Sequence, residues 1–170
     1  MSLFDKIFRR PQREQVMSYF KTLTAYQPTF RKWGGKLYES EIVRAAIDAR
    51  ARHISKLQIK IHGAAQPRVQ TILKKKPNQF QTWSQFLYRA STILDMQNTC
   101  FIVPILDDVG EVTGFFPVLP STCEVVDRGG DPYLKYHFVG GQMRSVRLAR
   151  CAVITKHQLR DDFFGEKNSA

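Results

Sequence analysis

The histidines and the paired aspartates are the residues whose types could support hydrolytic or metal-dependent chemistry. The four histidines are His53, His62, His137 and His157. None stands in a His-Glu-x-x-His or Cys-x-x-Cys context that would bind zinc. His157 with Asp161 and Asp162 is the one cluster of note, and it would suit a small metal-dependent nuclease. The sequence places no nucleophile and no further metal ligand beside it, so we predict no catalytic residue, no cofactor and no metal site.

Other nucleophile and phosphate motifs are absent from the sequence. It has no Gly-x-x-x-x-Gly-Lys-Ser/Thr loop, no Gly-x-Gly-x-x-Gly turn and no Gly-x-Ser-x-Gly elbow. Its three cysteines, Cys100, Cys123 and Cys151, lie more than 20 residues apart among apolar neighbours. This spacing argues against a disulfide framework or a zinc knuckle, and we expect the thiols to be small buried hydrophobes. We therefore predict that the protein is not an enzyme.

Positive charge is concentrated in the first half of the chain. The chain has 26 Lys and Arg against 15 Asp and Glu, a net charge of +11. Residues 1–76 hold 17 of the basic residues and 5 of the acidic ones, whereas residues 77–170 hold 9 and 10. Such asymmetry indicates a polyanionic partner or a charged assembly surface, although a solvated basic face gives the same pattern. Lys74, Lys75 and Lys76 are candidate phosphate contacts, but the helix macrodipole also favours lysines at a helix C-terminus.

Length and composition predict one folded domain with an arm. The 170 residues are 43% hydrophobic and 12% aromatic, which excludes a largely disordered chain. No apolar run approaches the roughly 20 residues that span a bilayer, so we expect no membrane partner. Residues 1–6 lack the charged-then-apolar order of a signal peptide. We expect a soluble, intracellular protein.

Residues 1–36 are expected to form an extended N-terminal arm. Residues 26–36 mix aromatics, bases, proline and glycine without a helical or strand period. Tyr26, Phe30 and Trp33 are our candidates for contact with the body of the same chain or with a neighbouring subunit or other assembly partner, since aromatic side chains mostly serve burial. The alternative is that these aromatics, interleaved with bases, stack on nucleic-acid bases.

Two amphipathic helices are the strongest structural signals. Ser40 is predicted to cap the first, which carries a wide apolar stripe opposite charged residues. Thr82 is predicted to cap the second, whose apolar residues recur at helical spacing until near Asn98. Between them, residues 58–62 alternate as a strand, and a short helix stops before Pro77, which forbids helical geometry at the preceding residue.

The second half of the sequence is rich in β-hairpins. Apolar or alternating runs separated by turns predict strands at residues 100–106, 112–118, 123–126, 134–139, 143–148 and 152–154. Pro104 inside the first of these implies an edge or a bulge. We therefore predict an α+β fold, with two amphipathic helices packed on a mostly antiparallel, hairpin-rich sheet and an extended N-terminal arm. The predicted divisions are the arm 1–36, the α+β body 37–160 and, at 161–170, the start of a truncated continuation.

Several segments, taken in order, resemble the portal proteins of tailed bacteriophages. They are the helix and following stretch 41–61, the basic-Pro-Asn loop 75–82, the step 95–101 into a strand, the crossing 114–121, the strands 134–139 and 152–157, and the loop 163–169. Gln58 stands where that family usually has proline, and the glycine of its Gly-Asn-Ala-Tyr step is missing here. The resemblance covers residues 37–170.

The resemblance implies a function in assembly. Portal subunits form a ring, usually of twelve, at one capsid vertex, and terminase packages double-stranded DNA through this ring, which is also the route of exit. This chain would be the N-terminal, wing-side part of such a subunit, located in the virion and assembled in the host cytoplasm. The implied partners are the other subunits of the ring, the major capsid protein, terminase, head–tail connector proteins and DNA bound without sequence specificity.

Two other interpretations stay open from the residues alone. A stand-alone basic nucleic-acid-binding domain would use the arm with Lys74, Lys75 and Lys76, and its binding would depend steeply on salt. A small nuclease would use His157 and the neighbouring aspartates, and its metal-dependent activity would be lost in His157→Ala or Asp161→Ala.

Overall fold

The computed structural model describes residues 21–22, 40–64, 66–137 and 142–166. Tyr26, Phe30 and Trp33, the predicted contact residues of the arm, lie outside these ranges. No helix within the described ranges is long and apolar enough to cross a membrane. The predicted α+β class is confirmed, since helices and antiparallel strands pack together in the same body.

Three helices are described, all before the first long strand. They are α1 (Glu41–Ser55), α2 (Gln66–Lys75) and α3 (Trp83–Gln97). Ser40 stands at the N-cap of α1 as predicted, but its side chain makes no capping hydrogen bond. Thr82 caps α3 in full, because its side chain accepts from the Gln85 backbone N–H while the Gln85 side chain accepts from the Thr82 N–H. Asn98 ends α3 in the left-handed conformation, with φ of 53°.

The described strands divide into two antiparallel sheets. In chain order they are β1 (Lys21–Thr22), β2 (Thr99–Leu106), β3 (Val112–Val118), β4 (Cys123–Arg128), β5 (Asp131–His137), β6 (Met143–Arg147) and β7 (Ala152–Thr155). One sheet has the order β3-β2-β7 and the other the order β1-β4-β5-β6. Alternation in a sequence marks strands without saying which of them pair, so the sequence predicts one sheet where the structure has two.

Pro104 lies where β2 has a partner on one side only. β7 pairs with β2 from Thr99 to Ile102, so that ladder ends before Pro104, while β3 continues opposite it at Phe115. Proline is tolerated at a one-sided position because it removes fewer ladder hydrogen bonds there. The register of the β2–β3 pair also shifts after Ile105. β2 is thus the central strand of its sheet, but Pro104 lies beyond the end of the β7 ladder and one residue before the register shift, which accounts for a proline at this position.

The main core lies between the two sheets. We call strands β2 to β7, their turns and the last described loop the β body, residues 99–137 and 142–166. Its buried cluster consists of Phe101, Val103, Phe116, Val118, Cys123, Val125, Leu134, Tyr136, Val146, Leu148 and Phe164. Phe164 enters from the last loop and packs edge-to-face on Phe101, with ring centroids 5.3 Å apart.

A second core joins α3 to the other face of the three-stranded sheet. Ala90 and Ile93 of α3 pack with Cys100 of β2. Successive residues of a strand point to opposite faces, so Cys100 faces α3 while Phe101 faces the four-stranded sheet. Both faces of β2 are covered, which explains its continuous apolar run. The layers therefore run from α1 through α3 and the three-stranded sheet to the four-stranded sheet.

Candidate assembly surface

Residues 57–62 follow α1 without pairing with any described strand. Gln70 of α2 accepts a hydrogen bond from the Ile61 N–H (2.9 Å) and donates one to the Ile59 carbonyl (3.2 Å). One amide can bridge these two groups because the backbone between them is extended, with both on the same side. The Gln70 side chain thus stands in for a neighbouring strand. The prediction of a strand at 58–62 is wrong, because these residues pair with no described strand. The two hydrogen bonds to Gln70 nevertheless imply that the backbone there is extended.

The opposite edge of this segment carries main-chain groups with no partner in the described part of the chain. In an extended chain the polar groups of successive residues point to alternate sides, so those of Lys60 point away from Gln70. No described residue makes a hydrogen bond to the Lys60 N–H or carbonyl. A row of unpaired main-chain groups is a template for another strand.

Trp83, the first residue of α3, bonds residues 57–62 to the rest of the fold. Its Nε1–H donates to the Leu57 carbonyl at 3.0 Å. Its ring stacks on Phe86, with centroids 5.5 Å apart and an interplanar angle of 17°. The indole N–H and one ring face are therefore already used within the chain.

A groove of about 720 Å³ lies beside the segment. Residues 58–63 line it together with Gln66, Gln70, Leu73, Lys74 and Trp83. Leu57 and Ile59 next to it expose 57% and 42% of their surfaces. The groove therefore combines apolar side chains with two lysines, Lys60 and Lys74, and it is bounded by α2 and Trp83.

The predicted phosphate contacts Lys74, Lys75 and Lys76 are all exposed. None of them forms an ion pair with a described residue. Lys74 and Lys75 form the last turn of α2, where the helix macrodipole favours them, and the helix ends before Pro77 as predicted. Of the three, Lys74 lines the groove. Their role as phosphate contacts stays a prediction.

The groove belongs to a basic part of the molecule, residues 40–76, which we call the basic layer. It holds nine Lys and Arg against two acidic residues. Three of its cations are paired: Arg50 with Asp95 (2.9 Å), Arg52 with Asp48 (2.8 Å), and Arg68 with Glu111. The other six, which are Arg44, Lys56, Lys60, Lys74, Lys75 and Lys76, have no ion pair with a described residue.

Helix α1 buries only part of its apolar surface. Ala51 is fully buried, and Val43, Ile47 and Ile54 are half-buried. Ile42 exposes 82% of its surface, and the neighbouring alanines at 45, 46 and 49 are exposed as well. The wide apolar stripe that the sequence predicts for this helix is therefore wider than the strip that α3 covers.

Polar contacts hold α1 to α3. The Tyr88 hydroxyl donates to Asp48 at 2.7 Å, and this hydrogen bond, helped by Arg52, lowers the pKa of Asp48. Asp95 exposes 8% of its side chain and forms ion pairs with Arg50 of α1 and Lys156 of the loop after β7. One buried carboxylate thus ties three parts of the fold together.

The basic-Pro-Asn loop is pinned to the edge strand β3. The Pro77 carbonyl accepts from the Phe115 N–H at 2.6 Å. Asn78 is buried and donates to the carbonyl of Phe115 (2.9 Å) and to the Gln81 side chain (3.0 Å), while its own oxygen accepts from the Phe80 N–H (3.0 Å). Residues 77–78 therefore occupy part of the free edge of β3.

The histidine–aspartate cluster of the nuclease interpretation lies in the last described loop. Asp161 accepts hydrogen bonds from the N–H groups of Phe163 and Phe164 (2.8 and 3.0 Å), so its carboxylate closes a turn. The His157 carbonyl accepts from the Glu166 N–H at 3.0 Å. The described residues contain no group of three or more His, Cys, Asp or Glu side chains able to hold a metal.

The cysteines lie in and around the core, in agreement with the sequence. Cys100 and Cys123 are buried and Cys151 is partly buried. Burial raises the pKa of Cys100 and of Cys123 to about 12, and that of Cys151 to about 11. Thiols with these pKa values are protonated at neutral pH and unreactive.

Three residues that organise this region escape sequence reasoning. Gln70, Asn78 and Asp95 each bond to residues remote in sequence, the first to the segment 57–62, the second to β3 and the third to two other elements. The sequence shows that a polar residue stands in an amphipathic pattern, but it does not show which residue that side chain will bond to. Of the three, Asn78 had a signal in the sequence, because a Pro-Asn pair is typical of the start of a turn or loop.

Comparison with known proteins gives matches in structure but not in sequence. No family model matches the chain, and no curated protein matches it. A chain from the neck of the empty gene transfer agent (GTA) particle, computed with C6 symmetry, matches with a TM-score of 0.65 and 14% identity. The match covers 85% of this chain and 41% of that one. The fold is therefore that of a chain in the neck of such a particle.

Two further structures give the same result. A chain from the neck of the native GTA particle, computed with C12 symmetry, matches with a TM-score of 0.64 and 14% identity over 91% of this chain and 43% of that one. A chain from the virion of the native gene transfer agent particle matches with a TM-score of 0.65 and 14% identity, over 86% and 40%. This chain spans about two fifths of the length of the chains it matches.

Proposed function

We propose that this chain is a structural subunit of the head–tail neck of a phage-type particle, and that it forms the wing-side part of a portal ring. The observation that carries the proposal is the fold shared with chains of the GTA neck over 85–91% of this chain. The ordered portal-like segments between residues 37 and 170 support the same assignment independently.

The distribution of surface types suits a ring subunit. Ring contacts need apolar surface that one subunit leaves uncovered, and large exposed apolar side chains mark such surfaces. Ile42, Leu57 and Ile59 are of this kind, and all three belong to the basic layer. A ring of twelve is the number we propose, in keeping with the neck computed with C12 symmetry.

In this proposal the ring stands at the capsid vertex of the virion and is assembled in the host cytoplasm. Terminase docks on it and packages double-stranded DNA through it, and DNA leaves by the same route. The other partners are the major capsid protein and the head–tail connectors. DNA contacts would be to phosphate and independent of sequence, since a conducting channel must not grip particular bases. We propose no enzymatic activity for the chain.

Native mass spectrometry of the complete gene product, with this 170-residue chain measured beside it, tests the proposal. We expect a discrete closed ring of about twelve copies for the complete product, following the cyclic symmetry usual for such assemblies. A complete product that stays monomeric at tens of micromolar would contradict the ring.

The second candidate function, a stand-alone nucleic-acid-binding domain, rests on the six cations of the basic layer that lack a described ion pair. It predicts tight binding to duplex DNA whose affinity falls steeply with salt. Measuring the affinity of the same preparations for a 20-base-pair duplex at two salt concentrations separates the functions, because a portal ring predicts weak binding outside its channel.

A further inference from the structure

We propose that neighbouring copies of this chain are joined by a strand pair, in which residues 58–60 of one copy add to the free edge of β7 in the next. The occupant of the β7 edge is therefore a second copy. This inference rests on the proposed ring, and it names the two surfaces through which one subunit contacts the next.

β7 is the last strand of the three-stranded sheet, and its outer edge has no partner among the described residues. The Lys156 N–H, directly after β7, donates to the Asn98 carbonyl at 2.8 Å. Main-chain groups alternate along a strand, so those of every second residue before Lys156 also point to β2. The groups of Val153 and Thr155 point away from β2, and no described residue bonds to them.

The side chains of β7 leave apolar surface open on both faces of the sheet. Val153 lies opposite Phe101 and Ile154 lies opposite Cys100. Val153 is therefore on the face toward the four-stranded sheet and Ile154 on the face toward α3. They expose 38% and 39% of their surfaces, and β7 itself carries no charge. An exposed apolar edge of this kind is a template for pairing with another chain.

The outer edge of residues 57–62 offers the complementary pattern. Gln70 bonds to the inner side of this segment and fixes it in an extended form. The main-chain groups of Gln58 and Lys60 face outward, and no described residue bonds to them. Because the segment is already ordered, adding it to another strand costs little further conformational entropy.

The exposed isoleucines select one register for the pair. In an antiparallel arrangement, the residues directly opposite each other would be Lys60 and Val153, Gln58 and Thr155, and Ile59 and Ile154. The first two pairs exchange main-chain hydrogen bonds. Ile59 and Ile154 expose 42% and 39% of their surfaces in the single subunit, and in this register they cover each other. A shift by two residues would place Lys156 opposite Ile59 instead, so the apolar contact is lost.

Charge favours β7 over the other open edge, β6. Lys60 has no ion pair with a described residue. β6 carries two arginines, and like charges on paired strands repel. Residues 157–166, which follow β7, hold three acidic residues and one arginine. This loop packs on the face of Val153, through Phe164 on Phe101, and that is the face on which Lys60 would lie.

The two edges lie at opposite ends of α3, a helix of 15 residues that is about 20 Å long. Trp83, its first residue, bonds to Leu57, whereas Asp95 in its last turn forms an ion pair with Lys156. The edges are therefore too far apart to meet within one subunit. A cyclic ring needs two different surfaces of the same chain that match each other, and these edges meet that requirement.

The first test joins the two edges by a disulfide in the complete gene product. The parent carries Cys151→Ala, because Cys151 is only partly buried and lies two residues before Val153. The test variant adds Ile59→Cys and Ile154→Cys to the same chain. Directly opposite residues have Cα atoms about 4.5–5.5 Å apart, within the reach of a disulfide. Ile59→Cys with Ala152→Cys is the matched control, because that diagonal pair would be about 7–8 Å apart.

After mild oxidation, we expect the test variant to run on a non-reducing gel as a ladder of covalent oligomers up to the closed ring. Each subunit then gives one cysteine to each of its two neighbours. A ring co-expressed from two single variants, Ile59→Cys and Ile154→Cys, should stop at covalent dimers. The diagonal control should give less than about a tenth of the cross-linking, because its cysteines lie beyond disulfide range.

Amide hydrogen exchange tests the main-chain pairing without introduced cysteines. The Lys60 amide should exchange at least about tenfold more slowly in the ring than in the dilute 170-residue chain. Val153→Pro removes the N–H that would donate to Lys60 and should abolish this difference, whereas Val153→Thr keeps the N–H and should preserve it. A strand edge accepts proline where the N–H faces away from the sheet, and an unchanged urea midpoint confirms the fold.

Native mass spectrometry of the same samples separates the two proposals. Two results would overturn the strand pair and leave the proposed ring standing. One is a ring in which the test variant cross-links no better than the diagonal control. The other is a ring in which the Lys60 amide gains no protection, and if the Val153 amide is protected there, another segment covers β7. A complete product that stays monomeric would contradict both proposals.

Discussion

The basic layer and the β body differ in how completely each buries its own apolar residues. In the β body, Phe101 and Leu134 are fully buried, and the core cluster draws on both sheets and the last loop. In the basic layer, Ala51 of α1 is buried, but α2 has no buried residue and Ile42 exposes 82% of its surface. The β body closes its own core and leaves its most exposed apolar side chains, Val109 and Leu159, in a turn and the last loop, whereas Ala51 is the one buried residue in the described part of the basic layer.

Charge follows the same division. The β body holds seven basic and nine acidic residues, so it is close to neutral, while the basic layer has nine and two. Within the described fold the excess positive charge is therefore confined to the basic layer, whose own net charge is +7. Exposed apolar side chains and cations lie together there. Protein interfaces use this combination of an apolar centre and a polar rim.

The largest expected effect is loss of a core side chain from the β body. Leu134→Ala should lower the free energy of unfolding by about 3–5 kcal/mol, because Leu134 is fully buried and the cavity cannot close completely. Ile42→Ala, the matched change in the basic layer, should cost less than about 0.5 kcal/mol, because Ile42 is mostly exposed. Urea denaturation measures both, and equal costs would break the comparison.

The next effect tests the junction between the two regions. Asp95→Asn should cost about 3 kcal/mol, because Arg50 and Lys156 each lose the charge of a buried partner. Asp108→Asn in the exposed β2–β3 turn is the control and should change stability by less than about 0.5 kcal/mol. A small effect of Asp95→Asn would mean that the layer and the body are held together by their apolar contacts alone.

Sequence reasoning succeeded where one local pattern determines the structure. The capping residue Thr82, the helix end at Asn98 and the hairpin between β2 and β3 all follow from short-range rules, and the structure has each of them. The buried cysteines follow from their apolar neighbours.

Features that depend on remote partners were not predictable. The alternation of residues 58–62 is that of a strand, but whether a strand pairs is decided elsewhere in the chain, and here Gln70 takes the partner's place. The division into two sheets is decided the same way. The sequence singles out Lys74 as a phosphate contact, which stays a prediction, and its place beside the groove and the unpaired Lys60 main-chain groups are visible only once the fold is known.

A smaller effect is expected at the seam where the basic-Pro-Asn loop meets β3. Asn78→Ala should lower stability by about 2 kcal/mol, because the buried asparagine makes three hydrogen bonds and the Phe115 carbonyl loses one of its partners. Gln79→Ala, an exposed neighbour in the same loop, is the control and should be nearly neutral. Similar losses for both would assign the effect to the loop as a whole and not to the Asn78 hydrogen bonds.

The smallest change that we expect is in the pKa of Asp48, which links the stability of the basic layer to pH. The Tyr88 hydroxyl lowers the pKa of Asp48 in the folded state, so the contribution of Asp48 is present above its unfolded pKa of about 3.9 and is lost as the pH falls through the lower folded value. Tyr88→Phe should raise the pKa of Asp48 in an NMR carboxylate titration, and Tyr133→Phe in β5 should leave it unchanged. An unchanged Asp48 pKa in Tyr88→Phe would show that Arg52 is the dominant cause.

Acid should therefore loosen the basic layer before the β body. The core cluster of the body contains apolar, cysteine and tyrosine side chains and no carboxylate, whereas α1 is bonded to α3 through Asp48, whose pKa the Tyr88 hydroxyl lowers. Amide hydrogen exchange at pH 4 and pH 3 should show protection falling first in α1 while β2 and β5 stay protected. If protection fell in both regions at the same pH, the layer and the body would unfold as one cooperative unit. The exposed surface of the layer would then belong to a region that does not unfold separately from the body.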